Sequence, residues 1–131
     1  IDLNIFMLKD YQEFIPDYYT PVIISSEKMI AENPELLQKV MRAVKKGYEY
    51  AIKNPEKAAE ILHKKAPENS LEFLQKSQEW LSPRYQAEAP YWGYQKLKVW
   101  EDFGEWMYQK GLVAEEFEAE QAFTNQFLVS D

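Results

Sequence analysis

Cysteine is absent from the 131 residues, which removes disulfides, thiolate metal ligands and a cysteine nucleophile together. That absence suits an exported protein and a cytoplasmic one equally. Histidine occurs once, at His63, so no histidine pair exists to hold a metal, and no serine stands in a nucleophile-elbow context. Positive charge is scarce: 15 Lys and Arg face 22 Asp and Glu, the formal net charge is −7, and no basic cluster exceeds a pair. The electrostatic footprint that a phosphate backbone requires is missing, which argues against nucleic acid and against an anionic membrane surface as partners. Apolar runs such as Val22-Ile23-Ile24 are strand-sized, far below the ~20 residues that span a bilayer.

What the chain does have is a hydrophobic fraction of 46% and an aromatic fraction of 15%, enough for one globular domain with a core. It begins at Ile1 without an initiator Met, which reads as a processed or excised piece with any targeting signal upstream. Residues 3–8 alternate and then run apolar, and residues 18–24 are rich in β-branched and aromatic types, so two strands are expected. Pro16 and Pro21 bracket the second, which puts its backbone at an edge, a strand start or a crossover.

From Ser25 onward the pattern is helical. Ser25-Ser26-Glu27 supplies a capped start, and Asn33-Pro34-Glu35 and Asn54-Pro55-Glu56 each read as an N-cap, a proline at the first helical position and an acid suited to the helix dipole. The helix after Asn33 carries Leu36, Leu37, Val40, Met41, Val44, Tyr48, Ala51 and Ile52 on what reads as one face. Ser70 opens a helix that Pro83 ends, residues 84–94 are irregular and aromatic, and a helix through Leu97, Trp100, Phe103, Gly104 and Met107 closes at Lys110-Gly111. A short helix is expected between Glu116 and Leu128. The order is two strands, then about five helices. Two strands make a marginal sheet, so their edges call for partners this chain lacks.

Several groups have the chemistry of a site. Tyr18 and Tyr19 offer rings that stack on a flat heteroaromatic ligand, or one fills the core while the other faces solvent, since side chains alternate along a strand. Asp17 either bonds a ligand amino group or closes an Asx-type turn. Tyr91-Trp92-Gly93-Tyr94 is a loop where glycine permits close approach, with Trp92 as a ligand wall or as core packing. His63 reads as a solvated surface residue, and the acidic run from Glu115 to Glu120 as a solvated helix start. No catalytic or metal set emerges.

The run Pro16-Asp17-Tyr18-Tyr19-Thr20-Pro21-Val22-Ile23-Ile24 resembles the thiamine-pyrimidine-precursor-binding proteins of ABC transporters, as do Glu32-Asn33-Pro34-Glu35-Leu36, Lys46-Gly47-Tyr48-Glu49-Tyr50-Ala51-Ile52 and Asn54-Pro55-Glu56. Trp92-Gly93-Tyr94-Gln95, Trp106-Met107-Tyr108 with Gly111-Leu112, and Ala122-Phe123-Thr124-Asn125-Gln126-Phe127-Leu128 are similar to that family's C-terminal end. The resemblance implies an α/β fold, the α-rich C-terminal portion of a two-lobed periplasmic-binding-protein type II architecture about twice this length. It assigns residues 1–15 to the end of the second lobe, 16–24 to a returning crossover strand, and 25–131 to completion of the first lobe, with the N-terminal half absent.

It further implies a non-enzymatic, cofactor-free solute-binding component. The ligand is a pyrimidine such as hydroxymethylpyrimidine or its formylamino analogue, held between lobes with Asp17, Tyr18, Tyr19 and Trp92 contributing. The partner is an ABC permease, and the location is extracytoplasmic, periplasmic or held to the membrane only by an upstream lipid anchor. Two alternatives share the fold: a pyrimidine synthase, which needs a histidine and a cysteine-rich iron motif, and a binder of another small organic ligand such as an alkylsulfonate.

Overall fold

The computed structural model describes residues 4–116 and 118–128. Residue 3, where the first expected strand begins, and Phe117, within the acidic run, lie outside them. The described residues form six α-helices: α1 (Glu27–Glu32), α2 (Pro34–Lys53), α3 (Pro55–His63), α4 (Leu71–Leu81), α5 (Leu97–Gln109) and α6 (Ala119–Ala122), with 3₁₀ turns at Leu8–Tyr11 and Ser82–Arg84. Two compact units result, one combining Ile1–Ile24 with Gln95–Thr124 and the other Ser25–Tyr94 with Asn125–Asp131.

Neither expected strand forms among the described residues. A strand exists only when a neighbour completes its ladder, and among the described residues no strand pairs with either segment. Leu8–Tyr11 winds into a 3₁₀ turn instead, with Asp10 N–H donating to Met7 O at 2.9 Å. Residues 16–24 run as irregular chain, with the Thr20-Pro21 peptide bond cis. The two-strand expectation is therefore corrected to a helix-rich chain.

The helix boundaries follow local chemistry. Ser26 Oγ accepts from Met29 N–H at 3.1 Å and Ser70 Oγ from Phe73 N–H at 3.2 Å, which starts α1 and α4. Pro34 and Pro55 take the first helical position of α2 and α3. Each preceding Asn is pushed out of helical geometry by the proline ring, at φ −135°, ψ 48° for Asn33 and φ −136°, ψ 62° for Asn54. Both stand at the expected N-cap position, their carbonyls accepting from Leu36 N–H at 3.1 Å and Ala58 N–H at 3.0 Å, but neither side chain caps the helix after it; each instead closes the helix before it, Asn33 N–H donating to Met29 O and Asn54 donating to Tyr50 O from its backbone at 2.8 Å and from Nδ2 at 3.0 Å.

In the second unit α3 packs along α4, and α2 touches α3 and the Ser82–Arg84 turn. Ala59 and Leu74 are the buried apolar residues of α3 and α4. Ser82 and Gln78 are buried too, and they are satisfied: Gln78 Nε2 donates to Ser82 Oγ at 3.0 Å, Ser82 Oγ lies 3.1 Å from Ala51 O and 2.7 Å from Gln78 O, and Tyr85 OH donates to Gln78 Oε1 at 3.0 Å. Tyr48 packs edge-on to Tyr85, centroids 4.9 Å apart, and face-on to Trp92 at 4.6 Å.

Gly93 has φ +85°, and a Cβ there would stand 3.1 Å from Leu128 Cδ2, so the close approach expected of this glycine is to the chain's own leucine. His63 is half-buried, with Nδ1 2.9 Å from Asn69 O; it ties the end of α3 to the following loop and is not a purely solvated residue. The expected single apolar face of α2 is divided, since Met41, Val44, Tyr48 and Ile52 are half-buried whereas Leu36 and Val40 stay 51% and 46% exposed.

In the first unit α5 packs on α6, burying Gly104 and Ala119. Gly111, at φ +67°, terminates α5: its N–H donates to Tyr108 O and Leu112 N–H to Met107 O, both at 2.9 Å, a Schellman arrangement.

Candidate functional site

The three consecutive candidate residues Asp17, Tyr18 and Tyr19 lie in the first unit, and the two tyrosines are held against α5. Trp106 Nε1 donates to Phe14 O at 2.8 Å, and Tyr19 OH accepts from Lys96 N–H at 2.7 Å, so the segment between is pinned at both ends. Tyr18 stacks on Phe103, centroids 4.9 Å apart and planes at 21°, and Tyr19 lies 6.3 Å from Trp100. The alternation expected of a strand does not hold here: both tyrosines reach one helix, because the chain between the prolines is not a regular strand. Asp17 Oδ1 accepts from Tyr18 N–H at 3.0 Å, a local turn-type bond.

Trp100 and Phe103 complete this aromatic group, and from sequence they read only as helix core. Trp100 is fixed on two further sides, by Gln95 Oε1 accepting from Nε1 at 2.8 Å and by Phe123 stacked at 5.7 Å with planes 4° apart. Phe103 continues the stack to Trp106 at 5.6 Å. The signal was present in the spacing Trp100, Phe103, Trp106, which puts three rings along one side of a helix. Between these side chains lies a small apolar cavity of about 90 Å³, lined by Tyr18, Tyr19, Val99, Trp100, Phe103 and Met107.

A wider, open depression of about 500 Å³ adjoins Trp100 and Gly104 and is lined by Glu101, Asp102, Glu105, Glu116, Glu118 and Glu120. Lys98 Nζ donates to Asp102 at 2.9 Å, and that bond raises the Lys98 ammonium above its ordinary value. Among the described residues no group of three or more His, Asp or Glu side chains is arranged to hold a metal ion, and no helix is long and apolar enough to cross a membrane.

Trp92 belongs to the second unit. It is 8% exposed, its ring face covered by Tyr48, and so it sits in the packing of that unit.

Residues 1–58 match the family model described as NMT1/THI5 like. The resemblance read from the sequence stands. The riboflavin-binding protein RibY of Chloroflexus aurantiacus is 32% identical over 116 residues, which is 81% of this chain and 32% of that protein. The formylaminopyrimidine-binding protein of Halalkalibacterium halodurans is 29% identical over 129 residues, 95% of this chain and 38% of that protein. Both relatives are named as binding proteins rather than enzymes. The chain spans about a third of the length of the curated relatives it matches.

Proposed function

We propose that this chain is part of a solute-binding protein that captures a small, flat, uncharged heteroaromatic molecule, a pyrimidine precursor of thiamine, without chemically altering it. The observation that carries this reading is the convergence of Tyr18 and Tyr19 with Trp100 and Phe103 around an apolar cavity. Aromatic faces bind flat rings by stacking, and buried ligand sites are apolar with few polar groups that fix orientation. The similarity along 95% of the chain to a protein named for formylaminopyrimidine supports the pyrimidine class.

A cavity of about 90 Å³ is well below the 300–1,000 Å³ of a complete ligand site. In this reading the remaining walls come from elsewhere in a longer two-lobed protein, with residues 16–24 as the crossover between lobes, 1–15 ending the second lobe and 25–131 completing the first. Capture occurs outside the cytoplasm, the protein held by a lipid anchor or free, and the loaded form delivers to an ABC permease.

A second reading, riboflavin, is favoured by the 32% identity to RibY. Calorimetric titration of the full-length protein with formylaminopyrimidine, hydroxymethylpyrimidine and riboflavin separates the two. The expected result is saturable heat with a pyrimidine, weakened roughly tenfold by Tyr18→Ala, the equivalent of ~1.4 kcal/mol of lost ring contact. Heat with riboflavin alone transfers the assignment to the flavin, and no heat with any of the three refutes the proposal.

A further inference from the structure

The apolar cavity of the first unit is too small and too closely bordered to hold a whole ring. Its volume of about 90 Å³ is under a third of the smallest complete ligand site, about 300 Å³. A flat ring slipped between two aromatic faces needs them about 7–8 Å apart, twice the carbon contact distance. Neither bordering pair leaves that room, since the centroids of Tyr18 and Phe103 stand 4.9 Å apart and those of Tyr19 and Trp100 6.3 Å. What enters is therefore an edge or a substituent, not a sandwiched ring. The lining is almost wholly carbon. Two of its polar groups are engaged with residues that do not line it: Tyr19 OH accepts from Lys96 N–H at 2.7 Å, and Trp100 Nε1 donates to Gln95 Oε1 at 2.8 Å. Tyr18 is the one exposed member of the six lining residues, so its hydroxyl is within reach of water. A polar ring edge placed here would give up its water partners for carbon, at a loss of about tenfold or more in affinity per group.

We infer that this cavity seats a methyl group borne by a six-membered heteroaromatic ring, and that the hydrogen-bonding side of that ring faces away from α5. Val99, Phe103 and Met107 follow at four-residue intervals on α5 and so lie in one row, with a branched aliphatic side chain at one end and a flexible thioether at the other. Both conform to a small apolar group, and the rings of Tyr18, Tyr19 and Trp100 close the space around it. The pyrimidine of thiamine carries one such methyl, on the carbon between its two ring nitrogens. Seated here, it leaves the nitrogens at the rim and turns the amino and hydroxymethyl groups outward. The inference rests on the pyrimidine reading above and adds which edge of the ring this unit recognises.

Nuclear magnetic resonance of the full-length protein, labelled at its methionine methyl groups, tests it, with the Met107 signal identified by its loss in Met107→Leu. The probes are 2-methylpyrimidine and unsubstituted pyrimidine. The expected result is a saturable shift of the Met107 signal, reached at about tenfold lower concentration with 2-methylpyrimidine, the low end of the roughly 10–200-fold that one methylene decides in an apolar pocket. Val99→Ile places one further methylene in the cavity and is expected to cut that preference to about twofold or less. If Val99→Ile disturbs folding, Val99→Ala enlarges the cavity and makes 2-ethylpyrimidine the tightest of the three probes. Equal binding of 2-methylpyrimidine and pyrimidine, or a Met107 signal that neither probe moves, overturns the inference. Calorimetric heat with the precursors but no methyl preference overturns it and leaves the pyrimidine reading standing. A methyl preference without heat from any precursor refutes that reading and leaves the seat to another methylated ring.

Discussion

Removing the Ser82 hydroxyl is the most direct test of how the second unit is held together. Ser82 is 5% exposed and Gln78 8%, and the hydroxyl is the acceptor for Gln78 Nε2 at 3.0 Å while reaching Ala51 O, 31 residues away on α2, at 3.1 Å. Ser82→Ala strands the buried Nε2 donor, which costs about 1–3 kcal/mol. Ala51 is only half-buried, so water can replace the lost partner at its carbonyl and the second contribution is small. A net loss of ~2 kcal/mol follows, equivalent to about a 30-fold drop in hydrogen-exchange protection of amides in α4 and the last turn of α2. Adding Gln78→Leu removes the stranded donor, and Tyr85 OH, half-exposed, turns to solvent. The double variant is therefore expected to recover part of the loss, because removing both partners is cheaper than orphaning one. A change in protection below twofold for Ser82→Ala, or a double variant less protected than the single, refutes this account.

Gly93→Ala forces an L-residue to φ +85° and sets its Cβ 3.1 Å from Leu128, so a loss of about 1–3 kcal/mol in urea denaturation is expected. Gly111→Ala, at φ +67° with open space around it, carries only the conformational cost of about 1–2 kcal/mol; equal losses would remove the Leu128 contact from the explanation. Ser70→Ala deletes the cap on Phe73 N–H and is expected to lower stability by about 1 kcal/mol, with Ser70→Asp restoring it. The hydrogen bond from Lys57 holds the Glu60 carboxyl below its ordinary value. A folded-state value that is lowered contributes stability above the unfolded value and loses it as pH falls through the folded one. The urea midpoint should therefore decline slightly more from pH 5 to pH 3 than that of Glu60→Gln, and less so in high salt because the pair is exposed.

The elements that were legible in sequence are those whose cause lies within a few residues. Ser26 and Ser70 start helices because a hydroxyl three residues ahead of an amide accepts from it wherever the chain is. Pro34 and Pro55 fix a first turn, and Gly111 ends α5, for equally local reasons. Asn33 and Asn54 show the limit of such reading: both stand at the N-cap position as expected, yet neither side chain caps the helix after it, and that of Asn54 bonds back to the preceding helix instead. The strands were misread for a different reason: residues 18–24 have strand composition, but a ladder needs a second chain segment, and composition carries no information about whether one is there.

The site divides along the same line. Asp17, Tyr18 and Tyr19 drew attention through their proline-bracketed sequence, yet the partners of the two tyrosines, Lys96, Trp100 and Phe103, stand some 80 positions away, and no local pattern announces that pairing. The sequence by itself determined the absence of thiol chemistry in this stretch, the net negative charge, the helix starts and the family resemblance, since these depend on residue type and near neighbours. Only the tertiary structure decided that both tyrosines meet one helix, that Trp92 is covered by Tyr48, and that part of the expected apolar face of α2 is open, because each is a contact between segments distant in the chain.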